Sequence, residues 1–589
     1  MTVDEKVAAL RAIMEREGLD AFLINGTDPH NSEYVCPRWE TREYISGFTG
    51  SAGTVLITKD KAILWVDSRY HIQGEKQTEG TCFSIIKEGI NNNPSPVEYI
   101  AKELEKGSKL GISADTLMIG VKKSMEKKCS NVEIVPTDDF LNEIWEDRPA
   151  IPCKDVVQMG VDLTGFSRGQ KLNMVRIYLG QEKANYQFIG SLDDIAWILS
   201  LRGDDVQYNS LFMAYLFITG EKAYLFTDKN RFSKELFEEV SKDVEIMPYE
   251  DAAAIIPTLV KKGEKVLINE DKVNTLFIDA FKDLEIKNEI EVSTLLKASK
   301  NDVELEGERR AHLLDGVAMV NFLSKINFDD PQMDEFEITE LLEKQRRRSK
   351  ELIQLSFNTI AGFADNGAVV HYAVSKDTAK TVSGSGLMVL DSGGCYESGT
   401  TDITRTLLFG EATEEQKRDY TLVLKGHIAL ASQRFPEHTK GYQLDILAKQ
   451  YMWQYGMTFY HGTGHGVGHR LCVHEGPQRI SAAAVEQDLK NGMVLSDEPG
   501  LYKEGRHGIR IENLIAVKDF QRTEFGRFFE FEVLTLCPYE KKLIDTSLLT
   551  DDELQFINSY HSWVYEELKD LVDDDAKDYL KKATSALTK

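Results

Sequence analysis

Four histidines fall within residues 461–474, in the stretch HGTGHGVGHRLCVHEGP. The chain has 12 histidines in 589 residues, so a third of them gather here, separated mostly by glycine. Imidazoles brought together in this way suit metal binding or proton transfer. A helical zinc site needs two histidines at i and i+4 on one helical face, with a glutamate between them. His461 and His465 have the spacing, but Gly-Thr-Gly lies between them. Each glycine disfavours helix by about 1 kcal/mol relative to alanine. The pattern predicts ligands on strands or loops, with carboxylates completing the set.

Three stretches offer those carboxylates. VLDSGGCYESGTTDITRTLLFG (389–410) predicts a strand, a glycine-rich turn and a second strand. A turn centred between Tyr396 and Glu397 sets Asp391 opposite Asp402, on one sheet face about 5 Å apart. Like charges so placed need a cation between them or a shared proton. In LSDEPGLY, Pro499 biases Glu498 toward extended backbone. HGIRIENLIAV (507–517) alternates with period two and predicts one strand. Ile509, Ile511, Asn513 and Ile515 take one face, and Arg510, Glu512 and Leu514 the other. An Arg–Glu pair inside an otherwise apolar strand is costly unless it serves a site. Cys395 lies in the aspartate hairpin, but an oxygen-rich set selects harder ions than a thiolate does, so it is not counted as a ligand.

The elements that must carry these residues divide the chain. LITKDKAILWVD (56–67) recurs as FITGEKAYLFTD (217–228), with Ile57, Thr58, Lys61, Ala62, Leu64 and Asp67 matched by Ile218, Thr219, Lys222, Ala223, Leu225 and Asp228. Each copy predicts a β-hairpin, preceded by a strand at 21–25 and at 186–189. Two related α/β domains in tandem follow, at 1–155 and 156–302, with the proline-containing EDRPAIPCKD as linker. A third, larger region covers 303–589. It opens with charged helices, continues through Gly- and Thr-rich strands that include NGAVVHYAV around His371, and has helices near 414–432 and 444–454 before the histidine cluster. In the C-terminal segment, Leu554, Ile557, Tyr560 or His561, and Val564 form one apolar helical stripe.

Composition narrows the partners. A net charge of −26 and a pI near 5.0 argue against nucleic acid or an anionic membrane, which need a basic footprint. The N-terminus reads as an amphipathic helix rather than a signal peptide, and no apolar run is long enough to span a bilayer. Seven scattered cysteines without CxxC predict reduced thiols in a cytoplasmic protein.

D-x10-D, HGTGHGVG, EPGLY and RIEN, in this order, resemble the aminopeptidase P, methionine aminopeptidase and prolidase group of metallopeptidases. DPHNSEYV, SGFTGSAGTVLIT, WVDSRYHIQ and WILSLRGDDVQYNSLF extend the resemblance along the whole chain, toward the three-domain cytosolic Xaa-Pro aminopeptidases. It implies an α/β and α+β fold: two creatinase-like N-terminal α/β domains, then a pita-bread catalytic domain with a C-terminal extension. By resemblance, Asp391, Asp402, His465, Glu498 and Glu512 bind two divalent metals, with Asp402 and Glu512 bridging. Four carboxylates would balance two divalent cations. Mn²⁺ suits this donor set best, with Co²⁺, Fe²⁺ or Zn²⁺ as alternatives.

The implied reaction is removal of an N-terminal residue that precedes proline, by a hydroxide bound at the dinuclear centre, with Glu498 moving the proton. His371 would bind the peptide or stabilise the intermediate, His461 would contact the residue after the scissile bond, and His474 would steer the peptide carbonyl. Arg69 would approach the substrate, Arg510 would orient Glu512 at the substrate site, and His469 has no matching role. Relatives dimerise, which implies a homodimer. The alternatives are a prolidase restricted to dipeptides and, from another class, a non-catalytic pita-bread binding module. The two N-terminal domains weigh against the first, and retention of all five ligands weighs against the second.

Overall fold

The first helix, Val3–Arg16, starts where Thr2 and Glu5 form a reciprocal capping box. Its apolar face buries Val7, Leu10, Ile13 and Met14. The computed structural model that shows this describes residues 1–67, 70–90 and 93–589. Two compact units are present: residues 1–160 with 166–293, and residues 161–165 with 294–589.

The first unit contains two six-stranded sheets of one topology. In spatial order, the first runs Phe83–Lys87, Ala62–Val66, Thr54–Thr58, Ala21–Ile24, Lys109–Ser113, Glu133–Thr137. The second runs Glu245–Met247, Ala223–Phe226, Tyr215–Thr219, Tyr186–Ile189, Lys265–Ile268, Glu285–Asn288. Strand directions agree pair by pair: two antiparallel contacts at the centre, with parallel ones outside. The repeated sequence forms the central hairpin in each sheet, and its register is repeated too. Ile57 faces Ala62 as Ile218 faces Ala223. Between the two sheets, the buried His30 ring meets the Gly190 carbonyl at 2.7 Å and the Tyr249 hydroxyl at 2.8 Å.

The second unit sets helix pairs against antiparallel sheets. One half has Asp302–Leu323 and Glu335–Arg346 beside the sheet Ile360–Phe363, Gly386–Ser392, Ile403–Phe409. In the other, Glu414–Ala431 and Gly441–Trp453 lie beside a sheet whose long strands are Asn513–Thr523 and Gly526–Val533. The C-terminal helix Asp551–Leu568 begins at a Thr550–Glu553 capping box. Its stripe packs within this unit: Ile557, Tyr560, Val564 and Leu568 are buried in one core with Tyr420 and Leu424.

Three local expectations need correction. The aspartate hairpin turns between Glu397 and Ser398, so Asp391 pairs with Thr404 and Ser392 with Ile403. Asp402 lies just beyond its strand, two residues from the position opposite Asp391. A slip of two preserves the sheet face. Residues 507–517 are two strands in different sheets, His507–Arg510 and Asn513–Thr523. Every residue of that run is buried, so its alternation does not mark an inner and an outer face. The break at Ile511–Glu512 is filled by other partners: Ile511 N–H donates to Pro499 O at 3.3 Å and Glu512 N–H to Thr404 O at 3.0 Å. Finally, NGAVVHYAV is not a strand. A 3-10 turn at Ala364–Ala368 leads into irregular backbone through His371.

Candidate metal centre

The centre lies where the two halves of the second unit meet. Asp391 is the penultimate residue of the strand Gly386–Ser392, and Asp402 precedes its antiparallel neighbour Ile403–Phe409. His465 sits in the strand Gly464–Gly466, Glu498 follows the strand Val494–Asp497, and Glu512 occupies the break between sheets. Gly464 allows its strand to reach its neighbour, because a Cβ there would lie 1.9 Å from the Ser496 carbonyl oxygen.

Asp402, His465 and Glu512 each offer a ligand atom within 4.8 Å of the others. His465 Nε2 lies 3.5 Å from an Asp402 oxygen and 3.6 Å from Glu498 Oε1. Asp391 joins through Arg510, whose Nη2 donates to Asp391 Oδ2 at 2.6 Å. Arg510 therefore contacts Asp391 directly. It reaches Glu512 only through the Thr404 hydroxyl, which accepts from Arg510 Nε at 3.2 Å and donates to Glu512 Oε2 at 2.8 Å. Ser496 donates to Glu498 Oε1 at 3.2 Å, and its Oγ accepts from the His465 N–H at 2.9 Å.

The electrostatics are those of a site built for positive charge. Burial, then the neighbouring Asp402, push the Glu512 carboxyl well above its ordinary range. Burial also raises Asp391 and, outweighing His465 and Arg510, lifts Glu498 to about 7. Burial works against a charged His465, but Asp402 and Glu498 hold its pKa at about 9. Asp391 Oδ1, Asp402 Oδ1 and Glu512 Oε1 are buried and have no hydrogen-bond donor. Buried carboxylate oxygens without donors are costly unless a cation meets them. Four carboxylates and one imidazole thus fit hard or borderline divalent ions.

The remaining predicted residues surround this group unevenly. His461 Nε2 meets the Tyr502 hydroxyl at 3.0 Å, and Tyr502 accepts from Arg510 Nη1 at 2.7 Å. Burial and then Arg510 lower His461 to about 4, so its ring is neutral near pH 7. The exposed His474 ring packs edge-on to His465, centroids 4.4 Å apart. His371 is exposed and follows Val370, whose carbonyl accepts from Arg510 Nη1 at 3.2 Å. Arg69 lies outside the described residues. His469 is buried and structural: its ring meets Glu308 at 3.1 Å and the Leu163 carbonyl at 3.0 Å. Cys395 is buried in a short strand, and all seven cysteines are free thiols. Thr404, Ser496 and Tyr502 were missed in the sequence because a lone hydroxyl carries no spacing signal.

Two sheets of one topology ahead of a carboxylate-rich helix-and-sheet unit define a class of protein, and comparison with known sequences gives the same class. Residues 306–519 match the metallopeptidase family M24, and 527–587 match the C-terminal region of peptidase M24. Residues 6–144 and 147–304 each match a creatinase/prolidase N-terminal domain. Xaa-Pro aminopeptidase 1 of Dictyostelium discoideum is 35% identical over 97% of this chain and 94% of its own. A probable Xaa-Pro aminopeptidase P of Coprinopsis cinerea is 36% identical over 100% and 99%. The X-prolyl aminopeptidase of Caenorhabditis elegans, described as a cytosolic enzyme with a di-nuclear active site, superposes with a TM-score of 0.93 at 31% identity over 100% of both chains. A prolidase from Pyrococcus horikoshii shares the fold alone, with a TM-score of 0.51 at 22% identity over 64% of this chain. The chain belongs to the Xaa-Pro aminopeptidases of metallopeptidase family M24, and its second unit carries their pita-bread fold.

Proposed function

We propose that this protein removes the N-terminal residue from peptides whose second residue is proline. The observation that carries the reading is the cluster of buried Asp402 and Glu512 with half-buried His465, joined by half-buried Glu498 at 3.6 Å from His465 and by buried Asp391 through Arg510. These five would hold two divalent ions, Mn²⁺ by donor chemistry, or else Co²⁺, Fe²⁺ or Zn²⁺. When bound, such ions polarise a scissile carbonyl and acidify a water nucleophile.

The chain's own residues supply the rest. Glu498, beside His465 and held by the Ser496 hydroxyl, is the candidate for taking a proton from water and returning it to the departing proline nitrogen. An Xaa-Pro bond is a tertiary amide without N–H, so a site that grips the carbonyl and delivers a proton suits it. The neutral His461 ring, held by the Gly462 carbonyl and the Tyr502 hydroxyl, is proposed to contact the residue after the scissile bond. His474, edge-on to His465, is proposed to steer the peptide carbonyl, and His371, on the loop beside Arg510, to bind the peptide. Arg510 keeps Asp391 in place, and Arg69 is proposed as a substrate contact.

The family matches change over between 144 and 147 and between 304 and 306, which supports three domains at 1–155, 156–302 and 303–589. A homodimer is proposed in the cytoplasm. Trp453, Tyr455 and Tyr460, which are 53%, 49% and 96% exposed and close in sequence, support the dimer as a surface a second copy could cover. The free thiols suit a reducing compartment, and among the described residues no helix is long and apolar enough to cross a membrane. Incubating the purified protein with Mn²⁺ and peptides beginning Xaa-Pro or Xaa-Ala, with products read by mass, tests the activity. Loss of one residue from the Xaa-Pro series alone is expected. Cleavage of Xaa-Pro dipeptides but not longer peptides would replace this reading with a prolidase.

A further inference from the structure

The loop that bears His371 is held by a carboxylate far from it in sequence. Glu335, the first residue of the helix Glu335–Arg346, is fully buried. Its Oε1 accepts from the Phe363 N–H at 2.7 Å and from Asn366 Nδ2 at 2.9 Å. Its Oε2 accepts from the Tyr372 hydroxyl at 2.9 Å and the Lys380 N–H at 2.8 Å. Phe363 and Lys380 are the two ends of the loop 364–379, so one side chain closes it at its base. Through Tyr372, the same side chain also grips it beside His371.

His371 is thus bracketed. The Val370 carbonyl before it is bound by Arg510 Nη1 at 3.2 Å, and the Tyr372 hydroxyl after it by Glu335. The base of the loop is equally constrained. A Cβ on Gly508 would lie 1.6 Å from the Gly367 carbonyl oxygen, so this backbone rests directly on the strand that carries Arg510. A carboxylate is suited to the task, because its two oxygens accept several hydrogen bonds at once, and its charge is favoured at a helix N-terminus. Glutamine offers one oxygen and two N–H donors, so in either orientation its NH2 would face a backbone N–H of Phe363 or Lys380, and only the Tyr372 hydroxyl oxygen could accept from it.

We infer that Glu335, acting through Tyr372, is a positioning residue that sets where His371 stands beside Arg510. The inference rests on the proposed role of His371 toward the peptide. It differs from a role in metal binding, because none of the groups that Glu335 holds is among the five proposed ligands.

The test compares Glu335→Gln, Tyr372→Phe, His371→Asn and the double variant His371→Asn/Tyr372→Phe in the full Mn²⁺-loaded chain. The readouts are kcat and KM on an Xaa-Pro tripeptide, bound metal per chain and the thermal midpoint. Tyr372→Phe removes one hydroxyl and keeps the ring, so it tests the inference even if Glu335→Gln does not fold. Its kcat should fall about 10- to 100-fold, as expected when a reacting group shifts by about 1 Å, with metal content unchanged. In the His371→Asn background, Tyr372→Phe should have almost no further effect. Equal losses from Tyr372→Phe in both backgrounds would overturn the inference. So would native kcat in a folded Tyr372→Phe variant while His371→Asn is crippled. Native kcat and KM in His371→Asn itself would remove the His371 role, and the inference with it, a result distinct from the other two.

Discussion

Arg405 offers a quantitative test of how the centre is supported. Its guanidinium is buried, and its five N–H groups are shared among six acceptors. Nη1 reaches the carbonyls of Thr404 at 3.0 Å and Glu512 at 2.7 Å. Nη2 reaches Asn513 Oδ1 at 2.8 Å, the Cys537 carbonyl at 2.7 Å and the Tyr560 oxygen at 3.1 Å, and Nε reaches the Pro538 carbonyl at 3.2 Å. One side chain thus ties the backbone of Glu512 to the C-terminal helix. Arg405→Met fills much of the space and removes every donor. The Thr404 carbonyl keeps the Glu512 N–H, and the Cys537 carbonyl keeps the Tyr560 hydroxyl. The Glu512 and Pro538 carbonyls and Asn513 Oδ1 lose their guanidinium partner. At about 1–3 kcal/mol for each buried acceptor left without a donor, less what is regained by no longer burying a charge, the net loss is about 3–5 kcal/mol. Arg405→Lys should fall between, since one ammonium has three donors and cannot span six acceptors. Urea titration followed by hydrogen exchange, resolving peptides of 294–589 from those of the first unit, measures the loss where it belongs. An Arg405→Met protein whose second unit unfolds within about 0.5 kcal/mol of the parent would refute the reasoning, since a surface substitution does no more than that.

At the centre itself, Asp402→Ala or Glu512→Ala should abolish turnover and lower the metal content at both positions; elemental analysis showing two ions per chain with near-normal turnover would contradict the bridging roles. Thr404→Val removes the hydroxyl that donates to Glu512, and should weaken metal affinity or activity about 10- to 100-fold, read by titration with Mn²⁺. Acid should destabilise the second unit through His561, whose ring accepts the Tyr539 N–H at 3.1 Å and which burial lowers from 6.5 to about 3. The unfolded chain takes up that proton first, so this stability is full above pH 6.5 and is lost as pH falls from there toward 3. The loss is about 2 kcal/mol between pH 7 and 5, and His561→Gln should flatten the denaturation profile by that amount. In sedimentation, the 66.7 kDa chain should run at twice its mass; a monomer at micromolar concentration would remove the dimer and leave the metal chemistry untouched.

The sequence by itself determined which residue types are present for chemistry, and in what order. Asp391, Asp402, His465, Glu498 and Glu512 stand out because glycine, proline and short motifs surround them, and those signals are local. The repeated hairpins were legible for the same reason: alternation, a polar turn and a matching partner all lie within a dozen residues. Tertiary structure decided what depends on distant partners. The hairpin register moved by two because the turn closed at Glu397–Ser398, a matter of backbone geometry that strand composition does not encode. Residues 507–517 split between two sheets because Pro499, between two strands, and Thr404, in the strand Ile403–Phe409, supplied acceptors at the break. Period two is silent where both faces are buried. His371 stands where it does because Glu335 and Arg510 grip its neighbours, and nothing near Glu335 in sequence distinguishes it from the other acidic residues among 96. A buried carboxylate acquires its role from the donors that folding brings to it, and those donors lie from 28 to 45 residues away along the chain.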